Sequence, residues 1–102
     1  MIRTAILGGG IGAEHLAAYR LLSDYEVAVI CDLDLERASK VAGGIAVTDN
    51  MQAVLDDPSI DLIDICLPPH LHVAITCCAL AAGKHVICEK PLAASLAEID
   101  QI

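Results

Sequence analysis

The chain has 102 residues and a mass of 10.7 kDa, with 56% hydrophobic and 20% charged residues, a net charge of −8 and a mean hydropathy of +0.62. That length holds one domain, 1–102, and a pI near 4.6 with two Tyr as the only aromatics excludes a nucleic-acid partner: no basic stripe is present, and almost nothing for a base to stack on. A chain this short and this apolar cannot hide all its apolar surface in one small core, so an exposed apolar face or a missing partner is expected.

The same sign of charge disfavours anionic membrane surfaces, and the longest apolar runs, such as Ile75 to Ala82, stop far short of the ~20 residues that span a bilayer. Met1-Ile2-Arg3 leads straight into a strand-like segment without a signal-peptide pattern, so no membrane partner and a cytoplasmic location are expected. The cysteines are Cys31, Cys66, Cys77, Cys78 and Cys88, with no C-x-x-C pair and no zinc-type spacing with histidine. No metal is expected, and the thiols read as reduced, buried small hydrophobes.

In chain order, Arg3 to Gly8 is a short apolar run ending in glycines, the pattern of a strand buried on both faces. Ile11, Leu16, Tyr19 and Leu22 recur near the helical period and predict a first helix over 11–22. Tyr25 to Cys31 is β-branched and apolar and predicts the second strand, closed by Asp32. Asp34 then opens a polar helix that stops at Gly43-Gly44. Gly44 to Thr48 predicts a third strand, and Asp49 or Asn50 caps a short helix ending near Asp56-Asp57-Pro58. Asp61 to Leu67 is a fourth strand ended by Pro68-Pro69. Val73 to Ala82 is a nearly all-apolar helix, expected to be buried on more than one side and stopped by Gly83. Lys84 to Glu89 is a fifth strand broken by Pro91, and Ser95 caps a final helix running to Ile102.

Strands alternating with helices imply an α/β fold: a Rossmann-like doubly wound parallel sheet of order 3-2-1-4-5, with its ligand beyond the C-terminal strand ends. Gly8-Gly9-Gly10-Ile11-Gly12-Ala13 satisfies G-x-G-x-x-A between a predicted strand and a predicted helix, the context a dinucleotide fingerprint requires. Gly8 permits the turn out of the strand, Gly10 lets backbone approach a pyrophosphate, and small Ala13 lets the helix lie close to the sheet. Ile11 and Gly12 complete the turn, whose free N–H groups and helix dipole favour the diphosphate. Asp32, 22 positions after Gly10, suits the ribose hydroxyls. A carboxylate there would repel a 2′-phosphate, and Leu33-Asp34-Leu35 offer no arginine to hold one, so NAD is expected over NADP. Asp32 also suits a helix cap. Two further strand ends carry chemistry: Leu67-Pro68-Pro69-His70-Leu71-His72 and Glu89-Lys90-Pro91. Lys90 suits a substrate oxygen on which negative charge develops, whereas no Ser-His-Asp string or carboxylate pair supports hydrolysis.

Taken together, Gly8 to His15, Cys31-Asp32, Asp61 to His72 and the Ala82-Gly-Lys-His-Val-Ile-Cys-Glu-Lys-Pro91 run resemble the Gfo/Idh/MocA family of NAD(P)-dependent sugar and polyol oxidoreductases. The resemblance covers essentially Met1 to Ile102, and the Gly-Lys-His-Val…Glu-Lys-Pro run is its most specific part. It implies that Lys90 orients substrate and stabilises charge near the nicotinamide, and that Pro68, His70 and His72, with the flanking Leu67 and Glu89, lie on the cofactor side. The glycine spacing is compressed against the commoner G-x-G-x-x-G-x-x-H form, since His15 follows Ala13 by two positions rather than three. Family members carry a second, larger α/β domain that holds substrate and supplies the proton-transfer residues. The resemblance thus implies that 1–102 is the nucleotide-binding part of an oxidoreductase acting on the CH–OH group of a sugar, inositol or related polyol, truncated before that domain. Alone it is expected to lack catalytic competence, and the full-length form is expected to be a homo-oligomer. A non-catalytic NAD-binding module or sensor, or a fragment without activity, are the alternatives.

Overall fold

Apolar runs interrupted by well-capped helices build the chain, and a computed structural model describes all of residues 1–102. The strands are β1 (Ile2–Leu7), β2 (Tyr25–Cys31), β3 (Ala46–Thr48), β4 (Leu62–Ile65) and β5 (His85–Cys88); the helices are α1 (Gly12–Tyr19), α2 (Leu35–Ala42), α3 (Met51–Asp56), α4 (His72–Ala81) and α5 (Leu96–Gln101). Local chemistry sets the helix ends. Asp34 accepts the Arg37 N–H at 3.0 Å, Asn50 accepts that of Ala53 at 3.0 Å and Ser95 accepts that of Glu98 at 3.2 Å, while Gly43 closes α2 in the left-handed region at φ 55°.

All five strands are parallel in the order β3-β2-β1-β4-β5, as the alternation of elements predicts. Side chains alternate across the sheet and feed two cores. Ala5 and Leu7 face Val54, Leu55 and Ala79 of α3 and α4, whereas Ile6 faces Leu16, Tyr19, Ala38 and Ala42 of α1 and α2. Register decides where the chemistry gathers. Leu7 pairs with both Cys31 and Ile65, and Ile65 pairs with Cys88, so Gly8, Asp32, Cys66 and Glu89 leave the sheet at one level.

Three expectations need correction. α1 ends at Tyr19, and Arg20 to Leu22 form exposed turns. α4 is not buried on several sides: only His72, Thr76 and Ala79 are buried, and Cys78 and Leu80 are exposed, because the helix lies on the outside of the sheet with little beyond it but short α5. The cysteines divide accordingly. All five are free thiols, but only Cys31 and Cys66 are buried; Cys77 and Cys88 are half-buried. Thirteen large apolar side chains stand exposed, among them Leu22 and Ile87 on the α1 side of β5, so the expected uncovered apolar surface is present. No helix is long and apolar enough to cross a membrane.

Candidate functional site

The glycine turn is shaped by contacts that leave no room for a Cβ at Gly8, at Gly12 or at Gly9, where it would stand 2.9 Å from Asp32 Oδ2, and that leave Gly10 open. Gly8 sits at φ 103°, and a Cβ there would run into the Cys66 carbonyl. At Gly12 a Cβ would stand 2.7 Å from Ile6 Cγ2, so the close approach of α1 to the sheet falls at Gly12 and not at half-buried Ala13. This also places His15 three residues past the close-packing glycine. Around Gly10 the space is empty, with nothing within 4 Å of a built Cβ. The N–H groups of Gly10, Ile11 and Gly12 have no acceptor in the protein, and no side chain caps α1. Three unpartnered donors around open space at a helix N-terminus fit a pyrophosphate.

Asp32 lies beside this turn, 5% exposed, with its carboxylate accepting from the Gly9 N–H at 2.8 Å and the Asp34 N–H at 2.9 Å. Arg37, in the first turn of α2, closes on the same carboxylate: Nε donates to Oδ2 at 2.8 Å and Nη2 to Oδ1 at 3.0 Å. Burial opposes the charge, but the guanidinium and the two backbone donors outweigh it and hold Asp32 below the usual carboxylate range. Leu33-Asp34-Leu35 offer no arginine, as the sequence reads, but the helical turn brings Arg37 back to Asp32 from five positions along the chain. Leu33, 91% exposed, lies next to this pair.

The ends of β4 and β5 are joined by histidines. His72, 1% exposed, points one ring nitrogen at the Leu67 carbonyl (2.7 Å) and the other at the Pro91 carbonyl (2.6 Å), stapling the loop after β4 to the loop after β5. Pro68 and His70 are exposed beyond that staple, and Leu67 is half-buried beneath them. Lys90 is exposed at the end of β5 and forms no hydrogen bond through its ammonium, next to Glu89, whose N–H continues the ladder to Ile65 at 2.9 Å.

One functional residue has no singled-out role in the sequence reading. His15 on α1 lies between two carboxylates, with Nδ1 2.7 Å from Asp64 Oδ2 and Nε2 2.6 Å from Glu89 Oε1. Tyr19 donates its hydroxyl to the same Asp64 oxygen at 2.7 Å, and the Cys66 thiol approaches Asp64 Oδ1 at 3.5 Å. Burial disfavours the imidazolium, but hydrogen bonds and charge from Asp64 and Glu89 outweigh it and raise His15 above its ordinary 6.5. Burial and the neighbouring Asp64 push the Tyr19 hydroxyl and the Cys66 thiol up, so both remain protonated donors. His15, Asp64 and Cys66 have ligand atoms within 4.8 Å of one another, but they already satisfy each other as donors and acceptors.

A cavity of about 330 Å³ opens beside this cluster, between α1 and Ile87. The largest cavity, about 760 Å³, lies at the opposite ends of the strands, against Ile2, Leu62 and His85. Its lysine is engaged: Lys84 is buried and donates to the Asp57 and Ile60 carbonyls. A parallel sheet of this kind presents its ligands at the C-terminal strand ends, where the glycine turn, Asp32 and Lys90 are.

Residues 2–102 match the Gfo/Idh/MocA oxidoreductase family, NAD-binding Rossmann fold. D-glucoside 3-dehydrogenase of Escherichia coli is 38% identical over 95 residues, covering 88% of this chain and 27% of that protein. Among solved structures, a gentamicin A biosynthesis protein in complex with NAD superposes with a TM-score of 0.93 at 26% identity, covering 98% of this chain and 30% of that one. A 3-ketoreductase from Actinomadura kijaniata in complex with NADP and TDP-benzene superposes with a TM-score of 0.89 at 29% identity, covering 98% and 32%. The chain spans less than a third of the length of these relatives. With the strand order, the glycine turn and the match over nearly its whole length in agreement, the chain belongs to the Gfo/Idh/MocA oxidoreductase family, as an NAD(P)-binding Rossmann domain.

Proposed function

We propose that residues 1–102 form the nucleotide-binding part of an NAD-dependent oxidoreductase acting on a carbinol of a sugar, inositol or related polyol. The observation that carries this reading is the open, donor-lined space at Gly10 beside the Asp32 carboxylate. Gly10, Ile11 and Gly12 N–H groups bind the pyrophosphate, Gly8 and Gly12 let the turn and helix approach, and Asp32 accepts from the ribose hydroxyls. When bound, the cofactor supplies two-electron redox chemistry at its nicotinamide. Lys90, with a free ammonium at the end of β5, orients the substrate oxygen and stabilises the charge it gains. The dehydrogenase names among the relatives support the substrate class, and their greater length accords with a substrate pocket, proton-transfer groups and an oligomer interface outside residues 1–102. The reading includes a cytoplasmic enzyme without nucleic-acid or anionic-membrane partners, on the ground of the acidic charge.

Arg37 favours a second reading of the cofactor. Its guanidinium already lies against Asp32, and a turn of its side chain toward a 2′-phosphate would admit NADP as well. Titration of the chain with NADH and with NADPH, by calorimetry and nicotinamide fluorescence, tests both readings. Saturable NADH binding that Gly10→Val abolishes supports the proposal; a folded chain that binds neither nucleotide refutes it.

A further inference from the structure

We propose that His15 is a positioning residue for Lys90: clamped between Asp64 and Glu89, its doubly protonated ring holds the Glu89 carboxylate, and loss of one ring proton releases Glu89 and frees the backbone that carries Lys90. The importance of the device rests on the reading of Lys90 as the substrate-side lysine, but the clamp itself does not.

The geometry requires two donors from one ring. An ionised carboxylate only accepts hydrogen bonds, and His15 faces one at each nitrogen, at 2.7 and 2.6 Å. Only the imidazolium carries two N–H groups. Once a proton leaves, one carboxylate faces a ring lone pair at hydrogen-bond distance and has to withdraw.

Which one withdraws follows from what else holds each. The Asp64 side chain is 1% exposed and keeps the Tyr19 hydroxyl and the Cys66 thiol as donors without His15. The Glu89 side chain is 31% exposed, has His15 as its only side-chain partner, and exchanges that partner for water at little cost. Glu89 therefore lets go. Its neighbour Lys90 then loses the side-chain contact that ties the end of β5 to α1, while the His72 staple on Pro91 remains.

The groups facing the ring are Asp64 from β4, Cys66 just past its end and Glu89 just past the end of β5; on α1 itself Tyr19 acts through Asp64, and Glu14 shares the adjoining cavity. Lys90 adds its positive charge beside Glu89, and Glu89 sits below the usual carboxylate range chiefly because it accepts from His15. The raised proton affinity of His15 keeps the clamp closed to a higher pH than an ordinary imidazole would, and release follows as pH rises through the folded value.

Nuclear magnetic resonance of the 102-residue chain tests this without any cofactor. The His15 ring nitrogens are to be followed through a pH titration alongside the backbone amides of Glu89 and Lys90, in the wild type and in Glu89→Gln. The expected result is a His15 midpoint above 6.5, amides of Glu89 and Lys90 that shift with that midpoint, and a fall of ~1 unit in the midpoint in Glu89→Gln, tenfold in proton affinity. A His15 midpoint at the ordinary value, or Lys90 and Glu89 amides indifferent to it, overturns the proposal. NADH affinity measured over the same pH range separates the two readings. Amides that follow His15 in a chain that binds no NADH leave the clamp standing and refute the cofactor reading; NADH binding without the coupled amide shifts does the reverse.

Discussion

Arg37 grips Asp32 with both ends of its guanidinium fork, Nε to Oδ2 at 2.8 Å and Nη2 to Oδ1 at 3.0 Å. A ribose and a 2′-phosphate make opposite demands on this pair. Ribose hydroxyls need the Asp32 oxygens that Arg37 occupies, whereas a 2′-phosphate needs Arg37 and is repelled by Asp32. Arg37→Ala is expected to leave NADH affinity within about threefold and to lower NADPH affinity about tenfold; Asp32→Ala is expected to weaken NADH far more than NADPH. Calorimetric titration of both variants with both nucleotides measures the four numbers. Equal losses for the two cofactors in either variant would remove the pair from cofactor choice.

The glycines separate binding from folding. A Cβ at Gly12 meets Ile6 Cγ2 at 2.7 Å inside the core, while a Cβ at Gly10 meets nothing within 4 Å. Gly12→Ala is expected to cost ~1–3 kcal/mol by overpacking, which in a domain of this size lowers Tm by about 5–20 °C. Gly10→Val is expected to leave Tm nearly unchanged and to abolish nucleotide binding, because the added side chain projects into the space the N–H donors surround. Thermal unfolding followed by circular dichroism, run beside the NADH titration, checks both halves; a cooperative Gly12→Ala domain as stable as the wild type would contradict the packing argument.

Most of the fold was legible because each element carries its own punctuation. Asp34, Asn50 and Ser95 cap the helices the sequence places after them, Gly43 ends α2, and the mostly apolar, non-alternating β1 and β4 specify a sheet covered on both faces. Of the site, the glycine turn and Asp32 were legible because strand, turn and helix are contiguous. Arg37 is not legible from the residues adjoining Asp32, because it reaches that carboxylate only through the capped helix starting at Leu35, whose first turn comes back toward the strand end. The clamp was hidden for a different reason. Asp64 and Glu89 lie 49 and 74 positions from His15 in the chain, and only the pairing of β1 with β4 and of β4 with β5, with α1 laid over the sheet, makes them neighbours. A signal did exist: Asp64 interrupts an apolar strand expected to be buried on both faces, and a buried carboxylate demands donors.

His72 is expected to act on stability and loop order. Its ring lies between the Leu67 and Pro91 carbonyls, 2.7 and 2.6 Å away, in a 1% exposed position, so removing it takes away the N–H donor that ties the two loops. His72→Leu preserves bulk and removes the hydrogen bonds, with an expected cost of ~1–3 kcal/mol. Hydrogen exchange should locate the damage: protection should fall first in residues 67–72 and 89–92. A uniform loss across the sheet, or none, would show that the staple does not hold these two loops together.

The charged clusters make stability depend on pH in two directions. Asp32 and Glu89 are held below the usual carboxylate range, so what they contribute is present above their unfolded values and is lost as pH falls through their folded ones. His15 is raised above 6.5, so its contribution is complete below that value and is lost as pH rises through its folded one. Because His15 and Glu89 share a hydrogen bond, they titrate as a coupled pair, and removing the histidine changes both limbs. Urea unfolding of the wild type is expected to give a midpoint that is highest between the acid limb and the alkaline limb. In His15→Gln the midpoint should be lower where the imidazolium would have formed and should converge on the wild type as pH rises. The part of the alkaline decline that begins below the thiol range should disappear, the later fall carried by the raised Cys31, Cys66 and Tyr19 should remain, and the acid limb should survive through Asp32 with Arg37. A decline below the thiol range as steep in His15→Gln as in the wild type would assign that part of the limb to another group and leave the imidazolium without a part in stability.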